Sequence, residues 1–413
     1  MADDVDARPG TVTLQDVLAA REGLADVLTP TPMEFSQALS DRTGVQVHLK
    51  CENLQRAGSF KMRGAYTRLS RLTAEEKARG VVAASAGNHA QGVALAARLL
   101  GIDAVVYMPH GASMPKLGAT RGYGATVIQT GTTIDHCIAA AQEHAQQHGS
   151  VFVHPFDHQD IVAGQGTCGL EILEQVPDVK TILVCTGGGG LIAGIAAAVK
   201  GLRPDVKVVG VQAAEAAAWP ASLQAGHPIP LESMSTMADG IAVGRPGDVP
   251  FGVVADLVDG METVSESALA RSVLFLVEHA KLVSEPAGAA ATAHLLELGE
   301  QAAEHYEGPV VALISGGNID PVLLQRILRK GMTVAGRYLQ LQVRMPDGPG
   351  SLAGVLARLA ELRCSVIEVQ HQRRLPDLAV DEVAIWVTLE TMGHEHADEV
   401  YQTLVDDGYR VER

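Results

Sequence analysis

An amine acts as nucleophile or base only when its surroundings disfavour its charge. The run GSFKMRGAY, Gly58 to Tyr66, sets Lys61 behind a glycine, a serine and an aromatic ring where a helix should begin. Three glycine-bearing turns elsewhere carry groups with which such an amine could work. CTGGGGLIAG, Cys185 to Gly194, follows the apolar run TILV and opens a helical pattern. Its four consecutive glycines leave backbone amides uncovered, so several can point at one anion, reinforced by the helix N-terminus. A phosphate is the natural guest, because the run has neither G-x-G-x-x-G spacing nor the GK[ST] of a nucleotide loop. SAGNHAQG, Ser85 to Gly92, packs hydroxyl, amide and imidazole groups at another strand-to-helix junction, suited to a carboxylate or a cofactor edge. ISGGNIDP, Ile314 to Pro321, ends a further strand with Ser315 and Asn318, at the edge where open parallel sheets bind ligands. Taken singly, the glycine run also reads as a tight turn and SAGNHAQG as a helix cap. Together they offer amides for a phosphate, a hydroxyl for a ring nitrogen and an amine for a carbonyl, which describes a phosphorylated aldehyde cofactor.

These segments need a scaffold that brings them to one place. From Val81 to Ile314, short β-branched runs alternate with Ala- and Leu-rich helical patterns: VVAAS then HAQGVALAARLLG, AVVYMP then SMPKLGATRGYG, TVIQT then TIDHCIAAAQEHAQQHG, TILVCT then GLIAGIAAAVKGL, then KVVGVQ and VVALIS. Apolar runs bounded by glycine turns, each leading into a 3.6-residue period, predict parallel strands with crossover helices in an α/β fold. The pattern changes near Lys330. Beyond Tyr338 the order is strand YLQLQVRM, loop PDGPG, helix SLAGVLARLAEL, strand SVIEVQHQRRL, a turn at Pro376-Asp377, strand VDEVAIWVTLE, helix HADEVYQTLVDDG and a short strand YRVE. That is the ferredoxin-like βαββαβ arrangement in about 75 residues. Residues 1–10 are expected to be disordered and residues 331–337, within RKGMTVAGR, to form a linker to a separate domain at 338–413.

A chain of 413 residues exceeds one typical domain, and 47% hydrophobic residues can fill large cores. The formal charge of -16 opposes binding to nucleic acid or anionic lipid and favours a small-molecule task. The start, MADDVDARPG, is acidic and polar, unlike a secretory signal, and no apolar run reaches the roughly 18 residues of a membrane span. A cytoplasmic protein is expected. The five cysteines are scattered without CxxC spacing, which predicts reduced, mostly buried thiols. The His-Glu-His run at 394–396 reads as a solvated face, not a metal site.

SFKMRGA, SAGNHAQG, TGGGGL and SGGN, in this order and spacing, resemble the fold-type II pyridoxal phosphate enzymes (tryptophan synthase β-like), and among them the threonine/serine dehydratases. Glu285 within SEPAGA and Ala238-Asp239-Gly240 fit the same group. The resemblance implies a catalytic domain at 11–330 built of two open parallel-sheet subdomains, the smaller at about residues 60–150 inserted in the larger, with the site in the cleft between them. It implies pyridoxal 5'-phosphate as cofactor and deamination of L-threonine, and of L-serine, to a 2-oxo acid and ammonia. Carried over residue by residue, Lys61 would form the Schiff base with the cofactor and Phe60 would flank it. Asn88 would hydrogen-bond the ring hydroxyl; Gly187, Gly188, Gly189, Gly190 and Leu191 would hold the phosphate; Ser315 would face the pyridine nitrogen. Ser85, Asn88 and His89 would receive the substrate carboxylate. An uncharged Ser315 lets the ring nitrogen stay neutral, which favours elimination of a β-hydroxyl over reprotonation, with Lys61 taking the Cα proton.

Two departures narrow this reading. Serine racemases of the family carry a second serine where this chain has Ala86, so racemisation is expected to be minor. The divalent cation site of such racemases uses carboxylates where this chain has Gln212 and Ala218, and Glu215 alone is a poor cage, so no metal site is expected. A serine racemase or a β-replacement synthase is the alternative on the same scaffold. A non-catalytic amino-acid sensor is the alternative from another class, opposed by the intact Lys61.

The C-terminal segment, DGPGSLAGVLARLAEL followed by SVIEVQHQR, resembles an ACT domain, a module that binds amino acids between paired copies. Asp347, Gly348 and Gly350 would then form the helix-entry loop that receives an effector, although Ser365 stands where an asparagine is usual. A module that serves assembly alone is the other reading. Pairing implies a homodimer or homotetramer. A single copy resembles the catabolic dehydratases more than the isoleucine-pathway enzymes with a doubled regulatory region.

Overall fold

The computed structural model describes residues 11–373 and 378–413. The expected disorder of residues 1–10 and the expected turn at Pro376-Asp377 lie outside the described residues. The strands are β1 (Met33–Phe35), β2 (Val47–Cys51), β3 (Val81–Ala84), β4 (Ala104–Met108), β5 (Thr126–Gln129), β6 (Val151–Phe152), β7 (Thr181–Cys185), β8 (Lys207–Ala213), β9 (Gly260–Val264), β10 (Val310–Ile314), β11 (Tyr338–Pro346), β12 (Ser365–Gln372), β13 (Glu382–Glu390) and β14 (Arg410–Glu412). The chain divides into two compact units, one up to Leu324 and one over Gln325–Arg413.

The first unit holds two sheets. The larger, in the order β1-β2-β10-β7-β8-β9, is parallel except for β1, and the smaller, β5-β4-β3-β6, is parallel throughout. Strands β7 and β10 bury every residue, as strands covered by helices on both faces must, and they read as continuous apolar runs for that reason. The helices Gln159–Gln175 and Gly190–Leu202 pack backbone against backbone: a Cβ on Gly166 would lie 2.6 Å from the carbonyl oxygen of Gly194. The helix Lys61–Ser70 packs against both Gln159–Gln175 and Asn88–Leu100, and its Met62, Ala65 and Leu69 join one core with Val81, Ala83, Ala90 and Val93. Lys61 therefore starts a helix wedged beside the smaller sheet, while the chain preceding it leaves the larger sheet at the end of β2. The expected α/β class holds. The strands β1, β2, β6 and β9, which have no expectation in the sequence, are the additions.

In the second unit β12-β13-β11-β14 form an antiparallel sheet in the ferredoxin-like order. The helices Ser351–Glu361 and His394–Asp406 cover it, placing Val355, Leu359, Val400 and Leu404 against Leu341, Val343, Ile385 and Val387. Two expectations here need correction. The segment 331–337 is not a linker over most of its length, because one helix runs Pro321–Val334. Asp320 Oδ1 accepts the Val322 amide at 2.8 Å to open that helix, and Ile327 and Gly331 are buried along one side of it. The His-Glu-His run is a solvated face only at His394 and Glu395: His396 is 8% exposed, its Nε2 donates to Leu362 O at 2.7 Å and its Nδ1 accepts from Met392 N at 3.0 Å.

Candidate active site

Each of the four motifs follows the C-terminal end of a parallel strand. Lys61 comes after β2, Ser85 after β3, Gly187 after β7 and Ser315 after β10. The turn that delivers Lys61 needs left-handed backbone at Ala57 (φ 61) and Gly58 (φ 70), and a Cβ on Gly58 would overlap the side-chain amide of Asn318. The same turn is zipped to the third motif: Phe60 N donates to Ser315 O at 3.2 Å, and Gly317 N donates to Gly58 O at 2.9 Å. The glycine and serine ahead of Lys61 thus serve a close approach of two backbones, which brings Lys61 and Ser315 to one floor.

The Lys61 amine donates to Pro155 O at 3.0 Å and lies 5.1 Å from the centre of the Phe60 ring. Burial pulls its pKa down to about 8, with the carboxylate of Glu285 acting in the opposite direction. Asn88, the first residue of its helix, is held from both sides: its Nδ2 donates to Glu285 Oε1 at 2.5 Å, and its Oδ1 accepts from Asn318 Nδ2 at 2.9 Å. The amide has one N–H left for a ligand. Burial, then the neighbouring Asp239, push the Glu285 carboxyl up to about 7, against the pull of Lys116, Asn88 and Lys61. Lys116 in turn bridges to Asp239 at 2.5 Å, tying the helix Met114–Gly122 to the turn at Asp239–Ile241.

The remaining expected residues line the same cavity of about 890 Å³. Ser85 Oγ accepts from Gly87 N at 3.1 Å, which leaves its own proton free to donate. His89 is 3% exposed, its Nε2 donates to Val153 O at 2.9 Å, and burial brings its pKa down to about 3, so the ring is neutral and committed. What His89 offers the cavity is a backbone N–H in the first turn of a helix. Ser315 is buried beside the thiol of Cys185. Gly187, Gly188, Gly189, Gly190 and Leu191 form a cradle in which side chains are excluded, since a Cβ on Gly188 would lie 2.5 Å from the Phe156 ring and one on Gly190 3.0 Å from Phe156 Cβ. Among the described residues, the amides of Gly187 to Gly190 donate to no backbone carbonyl.

This donor set fits pyridoxal phosphate. It combines uncommitted amides at a helix N-terminus for a phosphate, a buried amine of lowered pKa for a carbonyl, and an uncharged hydroxyl for a ring nitrogen. The sequence reading missed Pro155 and Phe156, the Lys116–Asp239 bridge, and the hold of Glu285 and Asn318 on Asn88. Glu285, Asp239 and Asn318 each left a signal in SEPAGA, Ala238-Asp239-Gly240 and ISGGNIDP, but their partners did not.

Asp347, Gly348 and Gly350 lie in the second unit, at the entry to the Ser351–Glu361 helix. Gly350 takes φ 92, and the Asp347 carboxylate is held by Arg373 at 2.9 and 3.0 Å, an ion pair that lowers its pKa.

The fold and the site together define a fold-type II enzyme with a cavity suited to a phosphorylated aldehyde. The chain belongs to the family described as pyridoxal-phosphate dependent enzyme, whose profile matches residues 24–316. It is 44% identical over 401 residues to an L-threonine ammonia-lyase of Thermotoga maritima, covering 97% of this chain and 99% of that one. Among solved structures, the processed form of threonine deaminase isoform 2 from Solanum lycopersicum superposes with a TM-score of 0.73 at 37% identity, covering 77% of this chain and 92% of that one. Maize serine racemase superposes with a TM-score of 0.73 at 34% identity, covering 78% and 99%.

Proposed function

We infer that the chain deaminates L-threonine to 2-oxobutanoate and ammonia, and L-serine to pyruvate and ammonia. The observation that carries this reading is the state of Lys61, a buried amine with its pKa near 8 in a cavity that also holds the amide cradle, Asn88 and Ser315. Similarity to an L-threonine ammonia-lyase along nearly the whole chain supports the choice of substrate.

In this reading Lys61 would carry the cofactor's carbonyl carbon, Phe60 would wall it, and Asn88 would reach the ring hydroxyl. The amides of Gly187, Gly188, Gly189, Gly190 and Leu191 would hold the phosphate, and Ser315 would meet the ring nitrogen. When bound, the cofactor supplies an electrophilic carbon and a ring that accepts the electron pair left at the substrate Cα. Ser85 Oγ and the amides of Asn88 and His89 receive the substrate carboxylate, while the His89 ring keeps the turn anchored to Val153. Once the substrate's amine has displaced it from the carbonyl carbon, the freed Lys61 Nζ would take the Cα proton; at pKa about 8, on the order of a tenth of such amines are uncharged at pH 7. Ser315 brings no charge to the ring nitrogen, so negative charge at Cα is weakly stabilised and departure of the β-hydroxyl outruns reprotonation.

The maize neighbour raises racemisation as a second reading. Ala86 lines the cavity without a proton to exchange, which favours deamination. Incubation with L-threonine and with L-serine is expected to release ammonia and the matching 2-oxo acid from each. D-Serine as the main product from L-serine would replace this reading with racemisation. The ratio of kcat/KM for the two substrates fixes the preference, for which one methyl group is worth about 1 to 3 kcal/mol.

The second unit is read as an ACT-type module that pairs copies of the chain into a dimer or tetramer and binds an amino-acid effector near Asp347, Gly348 and Gly350. Its ferredoxin-like sheet supports this reading. Isoleucine, valine and threonine titrated against activity and melting temperature test it, and no shift from any of them would leave assembly as its task. A cytoplasmic setting fits five cysteines that are all free and buried. Among the described residues no helix is long and apolar enough to cross a membrane.

A further inference from the structure

The glycine cradle cannot hold its own shape. Glycines have the widest backbone freedom of any residue, so a run of four must be fixed from outside if its amides are to converge on one anion. Behind the cradle stands Trp219, wholly buried, at the start of the helix Trp219–Ala225. Its indole Nε1 donates to Gly187 O at 2.7 Å. In a trans peptide the carbonyl and the following N–H point in opposite directions, so pinning the Gly187 carbonyl to the indole turns the Gly188 N–H away from it. The next peptide is fixed in the same manner, since Gly188 O accepts from Gly247 N at 3.0 Å. Gly189 adopts φ 98, and a Cβ there would fall within the Trp219 ring, so the ring also presses directly on the third glycine.

The tryptophan is itself firmly mounted. Its ring stacks on Phe251 with centroids 5.9 Å apart and planes 12° from parallel, and its backbone N–H donates to the buried Gln212 Oε1 at 3.0 Å. Gln212 lies in β8, at one of the two positions where the related racemases would place cation-binding carboxylates, so neutral side chains brace the turn on this side.

We propose that Trp219 is a positioning residue for the phosphate cradle, its indole N–H and ring setting the direction of the Gly188 and Gly189 amides. The inference rests on the reading of this cavity as the pyridoxal phosphate site. It assigns Trp219 to the phosphate alone, with no part in the link at Lys61.

Trp219→Phe keeps a ring that can stack and removes the N–H, leaving the half-buried Gly187 carbonyl without its indole partner. In the full-length chain stripped of cofactor, the variant is expected to bind pyridoxal phosphate about tenfold more weakly than the unsubstituted protein, on the scale of one lost buried hydrogen bond. Its affinity for pyridoxal, which lacks the phosphate, should be unchanged. Equal affinity of both proteins for pyridoxal phosphate would overturn the proposal, and so would an equal loss toward both ligands. Failure of the unsubstituted protein to bind pyridoxal phosphate would overturn the reading of the site as well. Should Trp219→Phe not fold, Trp386→Phe leaves Trp219 as the sole indole of the chain, and loading that variant with pyridoxal phosphate must quench its emission. Emission unchanged by loading would refute the proposal.

Discussion

Lys61 and Arg63 stand two residues apart on one helix, and the protein buries their charges in opposite ways. Arg63 is 1% exposed and fully partnered: Nε and Nη2 reach Glu52 at 2.8 and 2.7 Å, while Nη1 reaches Glu171 at 2.6 Å and Thr167 Oγ1 at 3.1 Å. Lys50, also buried, closes the group on Glu171 at 2.6 Å, so two cations face two carboxylates. Burial alone would weaken both charges of the Arg63–Glu52 pair, and their mutual attraction overcomes it, raising the Arg63 pKa and lowering that of Glu52. Lys61 has one carbonyl and a distant carboxylate, and there burial wins. The cleft is a region of suppressed charge, with His89 and His154 likewise held neutral by burial, while the layer beneath it is a region of satisfied charge. Reactivity and anchorage are thus separated by half a turn of helix: the paired arginine fixes the element from which the unpaired lysine acts.

The hardest way to break the comparison is to remove each cation in turn. Lys61→Ala is expected to lower turnover about ten-thousandfold or more, since it removes both the covalent anchor and the base. It should also abolish the visible absorbance of bound cofactor. With cofactor stripped from both proteins, its unfolding midpoint should stay near that of the parent, because an amine already inclined to lose its proton contributes little to the fold.

Arg63→Met should do the reverse. It leaves Glu52 and Glu171 with only Lys50 between them, and breaking a buried ion group in this way costs about 3 to 5 kcal/mol. Urea denaturation is expected to show that loss, with kcat per folded molecule largely kept. A stable but inactive Arg63→Met protein would mean that the arginine serves chemistry and that the contrast with Lys61 is misdrawn.

The contrast also marks what could be read from the sequence. The four motifs were legible because each is a local turn whose glycines and polar residues carry their own meaning, and the alternation of apolar runs with helical periods announced the parallel sheets. Arg63 showed no role in its own neighbourhood: Glu52, 11 residues back, is near in sequence, but Glu171, 108 residues away, becomes a neighbour only when the Gln159–Gln175 helix packs against Lys61–Ser70. The same holds for Pro155, 94 residues from the lysine whose amine it holds. The linker expected at 331–337 failed for a local reason: Gly331 resembles a helix breaker, yet it sits buried in a helix that continues to Val334. Trp219 left no mark in the pattern, since a buried tryptophan in an apolar stretch reads as core until its indole is seen to face a carbonyl.

A smaller effect sharpens the same contrast from inside the cleft. Glu285 supports the charge on Lys61, and its own carboxyl is pushed up to about 7 by burial and by Asp239. It ionises within the range where the lysine titrates. Above pH 7 the ionised Glu285 holds the Lys61 proton more tightly; below it, the protonated form does not. Glu285→Gln removes that support at every pH, so Lys61 should lose its proton at lower pH and the acid limb of the kcat profile should move down, by less than about one pH unit. The new side-chain amide would also keep an oxygen to accept from Asn88, so KM should change little. A limb that stayed in place would show that Glu285 acts on Asn88 alone, and that the charge of Lys61 is set by burial without help from this carboxylate.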